Sequence, residues 1–101
     1  MEWNIGYLEV AEDWLNSLSK EQLKSIAKEV RLLEHCGNTL KLPHSRSLSG
    51  GLFELRERRF GIRLYYCFQD HKAIIVLCGG DKSSQESDIK KARELLKKVS
   101  R

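Results

Sequence analysis

Period-two alternation confines the middle of this chain to strands. In Leu52–Arg59, the residues Glu54, Arg56 and Arg58 share one side, and Phe53, Leu55 and Glu57 share the other, because successive strand side chains point to opposite faces. In Phe60–Phe68, the residues Ile62, Leu64, Tyr66 and Phe68 form an apolar row opposite Arg63, Tyr65 and Cys67. A further run, Ala73–Cys78, is continuously β-branched and aliphatic, as in a strand covered on both faces or held at the centre of a sheet. The expectation is a small antiparallel sheet in which neighbouring strands lift Arg56 and Arg63 onto a shared face. Arginine grips phosphate through a planar fork that donates two parallel hydrogen bonds and stays charged at any working pH. A polyanion is the partner this pattern suggests.

The flanking sequence supplies helices. Glu2–Leu8, with Trp3, Ile5 and Tyr7 alternating, reads as a first strand, and a short helix is expected at about Val10–Leu18. Ser19-Lys20-Glu21-Gln22 has the spacing of a capping box and starts a second helix. Its apolar stripe is Leu23, Ile26, Ala27, Val30 and Leu33, and Gly37 suits a helix stop. From Asn38 to Gly51 the only proline, Pro43, and a mixture of Ser, Gly and His mark a connection. Gly79-Gly80 is expected to close the last strand, and Ser83-Ser84-Gln85-Glu86 to cap a final helix that buries Ile89, Ala92, Leu96 and Val99. This order fits an α+β domain with helices on one face of a mainly antiparallel sheet, the other face staying open beneath Arg56 and Arg63.

A length of 101 residues fits a single domain spanning residues 1–101. The formal charge of +4 favours an acidic partner without requiring one. No apolar run approaches the roughly 20 residues of a membrane span, and Met1-Glu2-Trp3 lacks the regions of a signal peptide, so a cytoplasmic location is expected. Cys36, Cys67 and Cys78 are odd in number and lack paired metal-ligand spacing, which suits reduced, packed thiols. His35, His44 and His71 also have no second ligand at metal spacing, and no metal or other cofactor is expected.

Phosphate-loop, dinucleotide, zinc-protease and serine-hydrolase motifs are all absent from the sequence. A cationic set remains: Arg56 and Arg63 on the sheet face, Lys82 just beyond the last strand, and Arg46, Arg58 and Arg59 at the rim. Arg58 and Arg59 also fit plain solvated surface, and Arg56 and Arg63 could pair with Glu54 or Glu57. Cations alone can nonetheless cleave RNA, since the ribose 2′-OH supplies the nucleophile. The protein must orient it, stabilise the added phosphoryl charge and manage two protons. Glu54, beside Arg56, is the carboxylate placed to take the first proton, with a structural ion pair as the alternative, while Lys82 could assist the departing oxygen. Tyr65, on the same side of its strand as Arg63, joins Arg46, Arg58 and Arg59 as a candidate RNA contact.

Two segments, GLFELRERRFGIRLYY and IIVLCGGDKSSQESDIKKA, together resemble the RelE/ParE toxin superfamily, particularly its HigB-like branch of addiction-module killer proteins. The shared order is a G-L-aromatic-E-L-R strand, a G-x-R-aliphatic-aromatic-aromatic strand, and a strand ending in G-G-D-K-S-x-Q before D-I-x-x-A. The resemblance implies a microbial-ribonuclease-like fold and a type II toxin that cuts mRNA on the translating ribosome. It also implies a cognate antitoxin protein as partner. By matched position, Arg63 corresponds to the sheet arginine at the scissile phosphate, Arg56 to a basic residue of the preceding strand, and Lys82 to the basic residue after the last strand. Glu54 stands where some members have lysine, and no histidine or tyrosine lies around Lys82–Ile89. The alternative within the superfamily is a ParE-like toxin that inhibits DNA gyrase by binding, without catalysis.

Overall fold

A computed structural model describes residues 2–99. Its elements in chain order are β1 (Asn4–Tyr7), α1 (Glu9–Asn16), α2 (Lys20–Cys36), β2 (Ser45–Ser47), β3 (Phe53–Glu57), β4 (Ile62–Gln69), β5 (Ala73–Asp81) and α3 (Gln85–Val99). The five strands form one sheet in the order β1-β5-β4-β3-β2. Only the β1–β5 pair is parallel; β2–β3, β3–β4 and β4–β5 are antiparallel. The fold is the expected α+β arrangement, with a mainly antiparallel sheet, N-terminal helices on one face and a C-terminal helix.

Local chemistry sets the helix ends. The Ser19 side chain accepts the Gln22 N–H at 3.1 Å, and Gln22 accepts the Ser19 N–H at 2.9 Å, the reciprocal capping box read from sequence. Gly37 ends α2 at φ 54°, and its amide donates to Leu33. A Cβ at that position would lie 1.9 Å from the Trp3 indole nitrogen, so close approach as well as the positive φ requires glycine. Within α2, Ile26 and Leu33 are buried and Val30 packs beside them, while Leu23 and Ala27 stay exposed at the margin.

The alternation in β3 and β4 divides the interior into two cores. On one face, Leu55, Ile62, Leu64, Tyr66, Ile74 and Val76 pack with Ala11 of α1 and Ile26 and Leu33 of α2. On the other, Leu52, Tyr65, Cys67, Leu77 and Cys78 pack with Ala92 of α3, flanked by Ile89, Leu95, Leu96 and Val99. The second face is therefore not open, as the sequence suggested, but carries α3. Gln69 Nε2 donates to the Val99 carbonyl, and Arg93 donates to the carbonyls of Leu48 and Ser49, holding the helix down at its C-terminal end and its middle.

Three further departures bear on the site. The segment expected to be a connection contains β2, which pairs Ser45 with Leu55 and Arg46 with Glu54. The last strand does not close at Gly79-Gly80 but continues to Asp81, and the glycines serve as notches for the helices. The register shifts where Tyr65 faces Cys78 and Tyr66 faces Val76, leaving Leu77 as the extra residue. Beyond that bulge, a Cβ on Gly79 would lie 2.7 Å from the Trp14 ring of α1, and one on Gly80 would lie 1.8 Å from Asp88 Oδ2 of α3. Asp81 caps the turn into α3, its side chain accepting from the Ser83 amide at 2.9 Å, in place of the expected cap at Ser83.

Candidate functional site

Strand register gathers the arginines. Arg46 of β2 lies opposite Glu54 of β3, Glu54 opposite Tyr65 of β4, and Arg56 opposite Arg63, all on the face that carries α3. Arg56 and Arg63 are like charges directly across a ladder, an arrangement that repels unless an anion intervenes. Glu54 is that anion. Its Oε1 accepts from Arg46 Nε at 2.8 Å, with Arg63 Nη1 at 3.5 Å and Arg56 Nε at 4.0 Å. Its Oε2 accepts from Gln85 Nε2, the first residue of α3, at 2.6 Å.

Burial grades the cluster. The Glu54 side chain is 0% exposed and that of Arg63 8%, whereas Arg56 is 29% and Arg46 43% exposed. Three cations and one anion leave a local charge of +2 on a surface reached through Arg46 and Arg56. Arg56 Nε and Arg63 Nε are buried and donate to no acceptor among the described residues. Buried donors normally find a partner, so these two nitrogens are unsatisfied exceptions within the cluster.

The remaining candidates take different places. Lys82 is exposed at the end of β5 and lies along the β3–β4 turn, 3.2 Å from where a Gly61 Cβ would be. Arg58 and Arg59 are not brought to the cluster. The turn carries them towards α2, where they line a groove of about 730 Å³ with Lys24, Lys28 and Arg31, and Arg59 sits 4.8 Å from the centre of the Phe60 ring. Tyr65 is wholly buried beneath α3, and its hydroxyl has no hydrogen-bond partner among the described residues. Burial first, and the Glu54 charge second, push its pKa far above the ordinary phenol value. Glu54, expected to take the first proton, exposes no surface to a substrate.

Glu57 has a structural place. Its buried carboxylate accepts from Ser25 Oγ at 2.5 Å and from the amides of Arg59, Phe60 and Ile62 at 2.9, 3.0 and 3.2 Å. Burial alone would raise its pKa, but the Ser25 hydroxyl and these amides together hold it below the ordinary value. His44 Nδ1 lies 3.0 Å from Glu29, and no cluster of metal-ligating side chains occurs among the described residues. The cysteines form no disulfide. Burial, with the Asp88 charge second, pushes the Cys78 thiol up to about 11. No helix among the described residues is long and apolar enough to cross a membrane. Neither Arg46, whose strand has no hydrophobic period, nor Gln85 could come from the strand pattern; Gln85 has as its sequence signal its place in the GGDKSSQ segment.

This geometry has relatives. The family model of phage-derived Gp49-like proteins (DUF891) matches residues 13–97. An uncharacterized protein of Haemophilus influenzae is 36% identical over 90 residues, covering 87% of each chain. The "putative toxin HigB3" of Mycobacterium tuberculosis is 32% identical over 76 residues, covering 71% of this chain and 67% of HigB3. The free state of an arginine double mutant of E. coli toxin RelE matches with a TM-score of 0.73 at 17% identity, covering 98% of this chain and 99% of that one. A chain of the intact E. coli RelBE toxin–antitoxin complex matches with a TM-score of 0.64 at 18% identity, covering 78% and 95% respectively. At those identities the structural likeness speaks for the fold, whereas the family model and HigB3 speak for descent. The chain belongs to the phage-derived Gp49-like family, within the RelE/HigB toxins.

Proposed function

We propose that this chain is the toxin of a type II toxin–antitoxin pair and that it cuts mRNA on the ribosome by in-line attack of a ribose 2′-oxygen. The observation that carries the reading is the convergence of Arg46, Arg56 and Arg63, from three adjacent strands, on one buried carboxylate. In the reaction the 2′-O–P bond forms, the P–O5′ bond breaks, the 2′-hydroxyl loses a proton and the 5′-oxygen gains one. The phosphoryl group passes from one negative charge to two, and the cluster's net +2 matches that developing charge. Fixed donors of this kind act without reorganising during reaction, and losing one typically costs about 3 kcal/mol of transition-state stabilisation, roughly a hundredfold in rate. Arg56 and Arg46 are the accessible grips, Arg63 supports them from below, and Lys82 serves the leaving oxygen from the adjoining turn.

The partner expected for such a toxin is a separately encoded antitoxin that covers or displaces part of this basic surface. Co-expression with the product of a neighbouring reading frame should restore growth and yield a co-purifying complex. Primer extension on cellular mRNA after induction tests the chemistry directly. Cuts within codons are the expected result, and an SOS response with stalled replication and intact mRNA would instead indicate gyrase inhibition.

A further inference from the structure

We infer that Glu54 is a positioning residue, an internal counter-ion that fixes the guanidinium groups and sets the charge of the site, and not the base that takes the 2′-hydroxyl proton. The inference rests on the proposed RNA cleavage but concerns how the site is built. A general base must come within hydrogen-bond reach of the proton it removes, about 2.6–3.2 Å between heavy atoms. The Glu54 side chain has no exposed surface, and both oxygens are occupied, Oε1 by Arg46 at 2.8 Å and Oε2 by Gln85 at 2.6 Å. A substrate oxygen would have to displace one of these partners to reach it.

The register explains why an anion belongs there. Arg56 stands opposite Arg63, and Arg46 stands opposite Glu54 on the outer strand, so among the described residues Glu54 is the carboxylate that pairs with all three cations. Without the carboxylate, the three guanidinium groups would repel and spread. With it, they are drawn to one point, and the Arg56 and Arg63 Nε donors remain free of other acceptors among the described residues. The carboxylate lowers the attraction for both charge states, and what it supplies in return is a fixed arrangement of the guanidinium groups, which need not reorganise as the phosphoryl charge develops. Gln85 extends the arrangement into α3, since its amide holds the second Glu54 oxygen.

The test is Glu54→Gln, which removes the charge and keeps the shape, assayed in single turnovers on mRNA-programmed ribosomes across pH, with fold checked by a cooperative melt. The expected result is a cleavage rate lowered by roughly a hundredfold, as for displaced reacting groups. Affinity for a non-cleavable RNA bearing a 2′-deoxy group at the scissile position should be unchanged or tighter, and the acid limb of the pH–rate profile should persist. Loss of that acid limb would identify Glu54 as the base, and a wild-type rate in the variant would show that its charge does nothing; either overturns the inference. If Glu54→Gln does not fold, Gln85→Ala frees one carboxylate oxygen without changing charge. It should slow cleavage several-fold with the pH profile intact, and a wild-type rate there also overturns the inference. Absence of cleavage by the wild-type protein would refute the proposed function itself, an outcome distinct from both.

Discussion

Replacing Glu57 tests whether a buried carboxylate, and not turn propensity, holds the β3–β4 hairpin to α2. Four donors converge on it: the Ser25 hydroxyl and the amides of Arg59, Phe60 and Ile62. At about 1 kcal/mol net for each hydrogen bond, Glu57→Ala should cost about 4 kcal/mol. For a domain of this size 1 kcal/mol shifts Tm by roughly 4–8 °C, so a fall of roughly 16 °C or more is expected by calorimetry near neutral pH. Glu57→Gln should cost about half as much, since one oxygen still accepts while the amide nitrogen confronts backbone donors. The pH dependence has a definite sign. The native pKa lies below its ordinary value of 4.5, so this contribution is fully present above about pH 4.5 and is lost as pH falls through the lowered native value. The wild type should therefore lose its advantage over Glu57→Gln in acid. Melting of Glu57→Ala within a few degrees of wild type, or an advantage that persists undiminished into strong acid, would refute this account.

Arg56→Ala should abolish growth inhibition with little change in melting, because the side chain is partly exposed. Arg63→Ala should do so while also lowering Tm, because removing a buried counter-ion leaves Glu54 less compensated; full toxicity of both variants would dissociate the cluster from function. Gly79→Ala should destabilise by about 1–3 kcal/mol, since its Cβ would press on Trp14 and Leu64, and shortening Trp14 to leucine in the same chain should recover part of the loss in a double-mutant cycle. With a thiol reagent on the folded protein, Cys36 should react first, because Cys67 and Cys78 are buried and burial raises both their thiol pKa values; equal labelling of all three would contradict that packing.

Much of the fold was written locally. Alternation in Leu52–Phe68 fixed which side chains share a face, since the strand period is two whatever lies beyond it, and Ser19 with Gln22 marked the start of α2 because a capping box closes within four residues. Those same rules placed Arg56 and Arg63 together. Tertiary structure alone decided what covers each face. The pattern of α3 shows that it buries Ile89, Ala92 and Leu96, but not that Tyr65 and Cys67 are what they meet. That contact turned an expected open face into a second core and took Tyr65 from solvent. The strand β2 escaped because Ser45-Arg46-Ser47 has no hydrophobic period and exists only through its pairing with β3. Gly79-Gly80 looked like punctuation because glycine's use as a notch depends on Trp14 and Asp88, which arrive from α1 and α3. Glu54 shows the division most clearly: sequence put it beside Arg56 on a strand face, and the arrival of Arg46, Arg63 and Gln85 from three other elements buried it as the shared counter-ion of the arginines and an acceptor for the Gln85 amide. Proximity along a strand is set by local backbone geometry, whereas burial and charge partners depend on segments distant in sequence, and only the folded chain brings those together.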